Sequence, residues 1–405
     1  MKNRRALLLP LLAVAGFAQG QLLSPLAKEP DWKSLNASQH SITHDDFLRL
    51  LDTVYAPGGA WKPFIQVGPT SASIRTRPGL PPYVLQFAFS ADAASPAPRY
   101  WRTRAQLPPR PAGKPLAGLH VAIDPGHLGG KWAKMEERWF QIGAGKPVAE
   151  GDMTLLVGKL LATRLRNLGA EVSFTRSDDT PNTGLRPDRM HAAAHTSLAD
   201  QKQPQTPGAL QKESELLFYR VAEIRRRAKL INAEIHPDLV LCLHFNAEPW
   251  GDPTHPSLID KNHLHLLVTG DFAQTELAYD DERFDMVRKL LSHAYDEELA
   301  ASDSVATSLA QATGLPPYVY TGSNAIRVGP SPYVWARNLL ANRLYNCPVV
   351  YIEPYVMNSH AVFDRIQAGD YDGRRLVDGR LQPSIYREYA DAVARGLADY
   401  YSTSR

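Results

Sequence analysis

No stretch of this 405-residue chain is long and apolar enough to span a membrane. The apolar run 6–18 falls short of the roughly 20 residues a spanning helix needs. Preceded by Lys2, Arg4 and Arg5 and with small residues near its end, it reads as part of a secretory signal peptide over residues 1–20. No cysteine stands directly after it, which excludes a lipid-modified one there. The expectation is an exported protein, in the periplasm or cell wall, with no stable membrane anchor after cleavage. Surplus charge is missing as well. The chain has 45 Lys+Arg and 42 Asp+Glu, and without Lys2, Arg4 and Arg5 the two signs balance. A neutral protein gives no electrostatic case for nucleic acid or an anionic membrane. Cysteine is scarce, with Cys242 and Cys347 alone. In neighbouring parallel strands they would be offset by about four residues, roughly 13 Å at strand rise, which is too far to bridge. Two buried free thiols are expected.

What the chain does have is three apolar runs that end alike. Val121-Ala122-Ile123-Asp124-Pro125-Gly126-His127 starts as a buried parallel strand and then turns, because proline fixes φ and glycine tolerates positive φ. Asp238-Leu239-Val240-Leu241-Cys242-Leu243-His244-Phe245-Asn246 and Pro348-Val349-Val350-Tyr351-Ile352-Glu353-Pro354 repeat the pattern. If the three share a sheet, His127, His244 and Glu353 lie at one edge, where ligands bind in open α/β sheets. Glu150 is a fourth group, at the start of a leucine-rich helical stretch. A carboxylate there also suits the helix dipole alone. Two histidines and one carboxylate are a common catalytic zinc set with one position open.

Around this edge the chain divides into segments. Residues 21–107 look like a small α+β module of unknown role. Thr43-His44-Asp45 is expected to cap a helix to about Tyr55, and strands are expected near 64–67, 71–76 and 83–89. Four prolines within 108–115 make a semi-rigid linker, and 116–405 is the expected catalytic domain. Strand 121–127, the Glu150 helix and strand 171–175 form a βαβ unit, which implies a parallel pair. Residues 177–208 read as a long surface loop. Its His191 and His195 have metal-binding spacing on a helix, but Ala192 stands where zinc peptidases place a glutamate base. A helix follows over about 209–235. The fold class is therefore α/β, a mostly parallel sheet flanked by helices.

In order along the chain come 121–127, Glu150 before its helix, Thr175-Arg176, Arg227 with Asn232, His244-Phe245-Asn246, 348–353 and Asn358. This set resembles the zinc-dependent N-acetylmuramoyl-L-alanine amidases of the amidase-3 family over roughly residues 116–365. The resemblance implies hydrolysis of the amide between N-acetylmuramic acid and the peptidoglycan stem peptide. It implies one Zn2+ per chain, held by His127, Glu150 and His244, with Glu353 as the catalytic carboxylate. Such a zinc lowers the pKa of water to about 7 from about 16. The loop before Glu150 is longer than the family's usual one, so Glu136 and Glu137 stand as alternative ligands. Glu353 has a plainer alternative too, an ion pair with Arg337 or Arg343. Another zinc amidohydrolase or peptidase cutting within the stem peptide shares the same ligands. A non-catalytic wall-binding protein is a third reading, against which the complete ligand set argues. Last, residues 271–314 form an insertion with a helical apolar stripe from Phe284 to Tyr295. It either packs on the sheet or lies across the cleft, with Glu276, Asp280, Asp281 or Glu282 at the metal, until an activator protein displaces it.

Overall fold

The computed structural model describes residues 22–252 and 255–403. The signal-peptide reading of 1–20 lies outside the described residues. Helix α1 (His44–Leu50) starts at Thr43, whose hydroxyl accepts from the Asp46 amide and so satisfies one orphan donor of the first turn. Strands β1 (Ile65–Val67), β2 (Ser71–Ile74) and β3 (Tyr83–Gln86) follow as an antiparallel sheet. The larger unit then begins with β4 (His120–Pro125) and the short hairpin β5 (Trp139–Phe140) and β6 (Val148–Ala149). Helix α2 (Glu150–Asn167) leads to β7 (Glu171–Phe174). Helix α3 (His191–Asp200) lies inside the stretch expected to be loop, whose polar sequence hid a short buried face of Ala194, Ser197 and Leu198. Helices α4 (Pro207–Leu216) and α5 (Glu223–Leu230), joined through a wider turn, deliver β8 (Leu239–Leu243).

The rest of the chain contributes β9 (Leu264–Thr269), α6 (Gln274–Leu277), α7 (Asp280–Leu291), α8 (Ala294–Thr313), β10 (Ile326–Arg327) and β11 (Val334–Arg337). Helix α9 (Leu340–Leu344), β12 (Val349–Pro354), α10 (His360–Ala368) and α11 (Ile385–Ser402) close it. The main sheet has the order β10-β11-β9-β12-β8-β4-β7. β7, β4, β8 and β12 are mutually parallel, while β9 runs against β12. Side chains alternate between two faces, as a pleated strand requires. Val121, Ile123, Leu241, Val350 and Ile352 join the core cluster that includes residues of α2, α8 and α11. Ala122, Val240, Cys242 and Val349 pack on the other face with Ala228, Ala341 and Tyr345.

Both thiols are free and buried. Cys242 sits opposite Tyr351, four residues beyond Cys347, so the expected offset holds. The insertion folds as α6 to α8 and does not cover the cleft. Asp280 pairs with Arg283, Asp281 with Arg225, and Glu282 with Arg343. Glu298 of α8 accepts from the Val349 amide, at the opposite end of β12 from Glu353. The apolar stripe of α7 packs inward, and the carboxylates of its acidic end are held by these arginines and not at His127 and His244.

Candidate metal centre

The register of the sheet builds the site. Pro125 lies opposite Leu243, and Leu243 opposite Ile352, so β4 and β8 end level with each other and with Ile352 near the end of β12. His244 and Glu353 come one residue later and His127 two. Gly126 makes the convergence possible by its lack of a side chain. A Cβ there would stand 2.2 Å from His244 Cε1. The positive φ expected at Gly126 falls instead on His127, at φ 57°. A non-glycine residue in that region is strained and has to be held by its surroundings. The Arg227 guanidinium does so, donating to the carbonyls of Pro125 and His127.

Glu150 reaches the same point from the first residue of α2. Its Oε2 is 3.3 Å from His127 Nε2 and its Oε1 3.0 Å from His244 Nδ1. Oε1 also accepts from the Phe245 amide. Ligand atoms of His127, Glu150 and His244 all lie within 4.8 Å of one another, a grouping unique among the described residues. Burial pushes the Glu150 carboxyl up, but His127, His244 and Arg138 outweigh it and hold it at about 2. The site is thus an anionic carboxylate facing two imidazoles. Behind it, Tyr351 stacks on His244 with ring centres 4.4 Å apart and fixes the plane of that ring.

Neither alternative carboxylate enters the cluster. Glu136 is buried and accepts from the amides of Leu128 and Gly129, with Oε1 3.6 Å from His127 Nδ1. It sits behind the histidine, on the nitrogen turned away from Glu150. A carboxylate in that place orients the ring and fixes its tautomer. Glu137 is exposed and pairs with Lys212. His191 and His195 are exposed on α3, and His195 Nδ1 meets Gln205.

Glu353 lines a polar cavity of about 350 Å3 beside the cluster. Burial raises its pKa, His244 and Arg138 act against this, and Glu150 adds to it. Arg343 is engaged by Glu282 at 2.9 Å, and Arg337 has its hydrogen bond with Tyr320. The expected alternative of an ion pair with either arginine is not formed. Instead His265, directly opposite Glu353 in the β9–β12 ladder, brings Nε2 to 3.7 Å. Burial, then His263 and Arg337, lower the pKa of His265 to about 3, so its ring is neutral.

Sequence reasoning missed His265, Tyr320 and Arg138. The alternation of His263 and His265 into the apolar run 264–269 was a readable sign of another strand reaching this edge. For Arg138 there was no sign. It comes opposite Glu150 because the β5–β6 hairpin extends by one more bond, from the Glu150 amide to the Arg138 carbonyl. Its Nε then lies 3.2 Å from Glu150 Oε2.

The sequence profile of the N-acetylmuramoyl-L-alanine amidase family matches residues 121–375. No curated protein sequence matches the chain. Among solved structures, the apo amidase Ami1 of Mycobacterium abscessus is 18% identical with a TM-score of 0.38, covering 70% of this chain and 99% of that one. AmiC2 of Nostoc punctiforme is 17% identical with a TM-score of 0.37, covering 70% and 98%. The catalytic domain of CwlV from Paenibacillus polymyxa is 16% identical with a TM-score of 0.37, covering 71% and 99%.

Proposed function

From the membership of this chain in the N-acetylmuramoyl-L-alanine amidase family, to which it belongs, we infer how its residues cut the amide between N-acetylmuramic acid and the stem peptide. His127, Glu150 and His244 would hold one zinc ion. The donor set fits: two imidazoles and one buried carboxylate converge, and Glu136 backs the far nitrogen of His127. When bound, zinc supplies a Lewis acid that makes water nucleophilic near neutral pH and polarises a carbonyl.

Glu353 is the proton carrier of this reading. It stands near the end of β12, on the same edge as the two histidines, and its raised pKa brings it closer to the working pH of a general base. It takes a proton from the attacking water and returns it to the departing amine of the peptide. Neutral His265 braces it from the neighbouring strand without adding charge. The observation that carries the proposal is the convergence of four chemically apt side chains, three from neighbouring strand ends and Glu150 from the start of α2. The substrate lies outside the cytoplasm, so the enzyme is exported, in keeping with the signal peptide read over residues 1–20. Among the described residues no helix is long and apolar enough to cross a membrane.

Digestion of purified peptidoglycan, read by mass spectrometry, tests the reaction. Free stem peptides with a new N-terminal alanine are expected. Cuts confined to bonds inside the peptide would move the assignment to a zinc peptidase. The metal is tested separately: His127→Ala and His244→Ala lose both zinc and turnover. Glu353→Gln keeps zinc and loses about a hundredfold to ten-thousandfold in kcat, the usual worth of a general base. Loss of zinc from Glu353→Gln would instead make that residue a ligand.

A further inference from the structure

The cavity that Glu353 lines also holds a guanidinium, near enough to act against the rise in the Glu353 pKa but in no close ion pair with it. Cross-strand partners share a face of a sheet. Glu353 opposes His265, and two places along the same strand, on the same face, Leu267 opposes Trp335 and Thr269 opposes Arg337. Tyr320 lies over this face, its hydroxyl 3.1 Å from His265 Nε2 and 3.4 Å from Arg337 Nη1. The guanidinium also sits 5.7 Å from the Tyr320 ring centre. Among the described residues no carboxylate comes within ion-pair distance of Arg337. The other acid lining the cavity, Glu248, is engaged by Lys261 and His263. His265 is neutral and adds nothing to the balance.

We propose that Arg337, braced by Tyr320, is the anchor of a carboxylate-binding subsite for the peptide side of the substrate. An arginine fork matches a carboxylate with two parallel N–H donors. The chemistry of the substrate, which rests on the amidase reading, decides the side. The lactyl carboxyl of the sugar is consumed in the scissile amide, and the acetylated sugars carry no charge. The anions near the bond are therefore carboxylates of the stem peptide. The cavity belongs to the leaving group, and Glu353 at its edge faces the amine it must protonate. Amidation of that carboxylate removes the charge and leaves the shape almost unchanged, so the subsite distinguishes walls by their amidation.

The test uses the full-length zinc enzyme and matched muramyl tripeptides, with each peptide carboxylate free or amidated in turn. For one position the free acid is favoured by about tenfold to a hundredfold in kcat/KM, the worth of a charge-assisted hydrogen bond. The difference falls mainly in KM. In Arg337→Gln the preference drops to near one. Tyr320→Phe, which removes only the bracing hydroxyl, shows an intermediate ratio and keeps the subsite testable if Arg337→Gln misfolds. Equal rates on all substrates, or a preference that survives Arg337→Gln, overturn the subsite. Calorimetric binding of the released tripeptide, acid against amide, is read in parallel. An enzyme that cuts no muramyl peptide yet binds the acid more tightly refutes the amidase reading while supporting the anion site. Equal binding of acid and amide refutes the subsite itself.

Discussion

Asp124 is buried three residues before His127, and its partners hold the geometry of the His127–Glu150–His244 cluster. Its carboxylate accepts from Thr175 at 2.6 Å, Tyr345 at 2.6 Å and Arg227 Nη1 at 2.9 Å. Arg227 in turn holds the left-handed His127 and pairs with Glu223. Burial alone would raise the Asp124 carboxyl, but Arg227 and the two hydroxyls hold it below its ordinary value. A depressed folded pKa stabilises the protein above the unfolded value of about 4, and that contribution is lost as pH falls through the folded one. Asp124→Asn leaves a buried guanidinium under-compensated, with an expected cost of about 3–5 kcal/mol in urea unfolding at pH 7. The acid limb of its stability profile should also be shallower than that of the parent. An unchanged midpoint and limb would show that Arg227 is satisfied without this partner. Gly126→Ala acts at the same scale through space alone. Its Cβ would stand 2.2 Å from His244 Cε1, so His244 must move. Zinc retained per chain should fall while far-ultraviolet circular dichroism stays that of the parent.

At the scale of elements, the insertion behaves as structure and not as a lid. Lys289 of α7 is buried against Glu298 of α8 at 2.7 Å and donates to the carbonyls of Tyr345 and Cys347. Glu298 then accepts from the backbone amides of Thr269 and Val349, so it ties β9 to β12. Replacing residues 276–300 by a Gly/Ser linker leaves those buried donors without partners, each costing about 1–3 kcal/mol. Loss of folded protein is expected, seen as aggregation in size-exclusion chromatography. A soluble, zinc-loaded and faster variant would restore the lid reading. What α8 does give the site is the chain that leaves its end: the segment after Thr313 carries Tyr318 and Tyr320 into the cavity beside Glu353.

The whole molecule is held as one body by contacts between residues 22–107 and the larger unit. Asp271 and Phe272 donate from their amides to Val54 and Tyr55. Arg283 donates to the carbonyls of Arg75 and Thr76 and lies 5.2 Å from the Phe64 ring centre. Trp32 meets Phe284 edge-on at 5.3 Å, and residues of both regions share one continuous apolar core. Calorimetry of the full chain should show a single unfolding transition. A chain beginning at residue 108 uncovers Phe284 and its neighbours and should be recovered as aggregate. Two separated transitions, or a soluble shortened chain with full activity, would make the N-terminal region an independent module.

The sequence by itself determined the parts whose causes are local. Apolar runs ending in His127, His244 and Glu353 specify strands by their own composition, and Glu150 opens its helix by charge and leucine spacing. Their convergence needed only that three parallel strands lie side by side, which the order β12-β8-β4 provides. The same strand arithmetic separated the two thiols correctly. Decisions made by tertiary structure all involve partners distant in the chain. Helix α3 forms in a polar stretch because Ala194, with Met190 just before the helix, finds a cluster with Leu217 and Phe218. The antiparallel return of β9 brings His265 against Glu353, and a two-residue hairpin sets Arg138 beside Glu150. The acidic start of α7 was open to either role until Arg225, Arg283 and Arg343 claimed its carboxylates. A buried charge goes to whichever opposite charge the packing brings near, and no spacing along the chain encodes that choice.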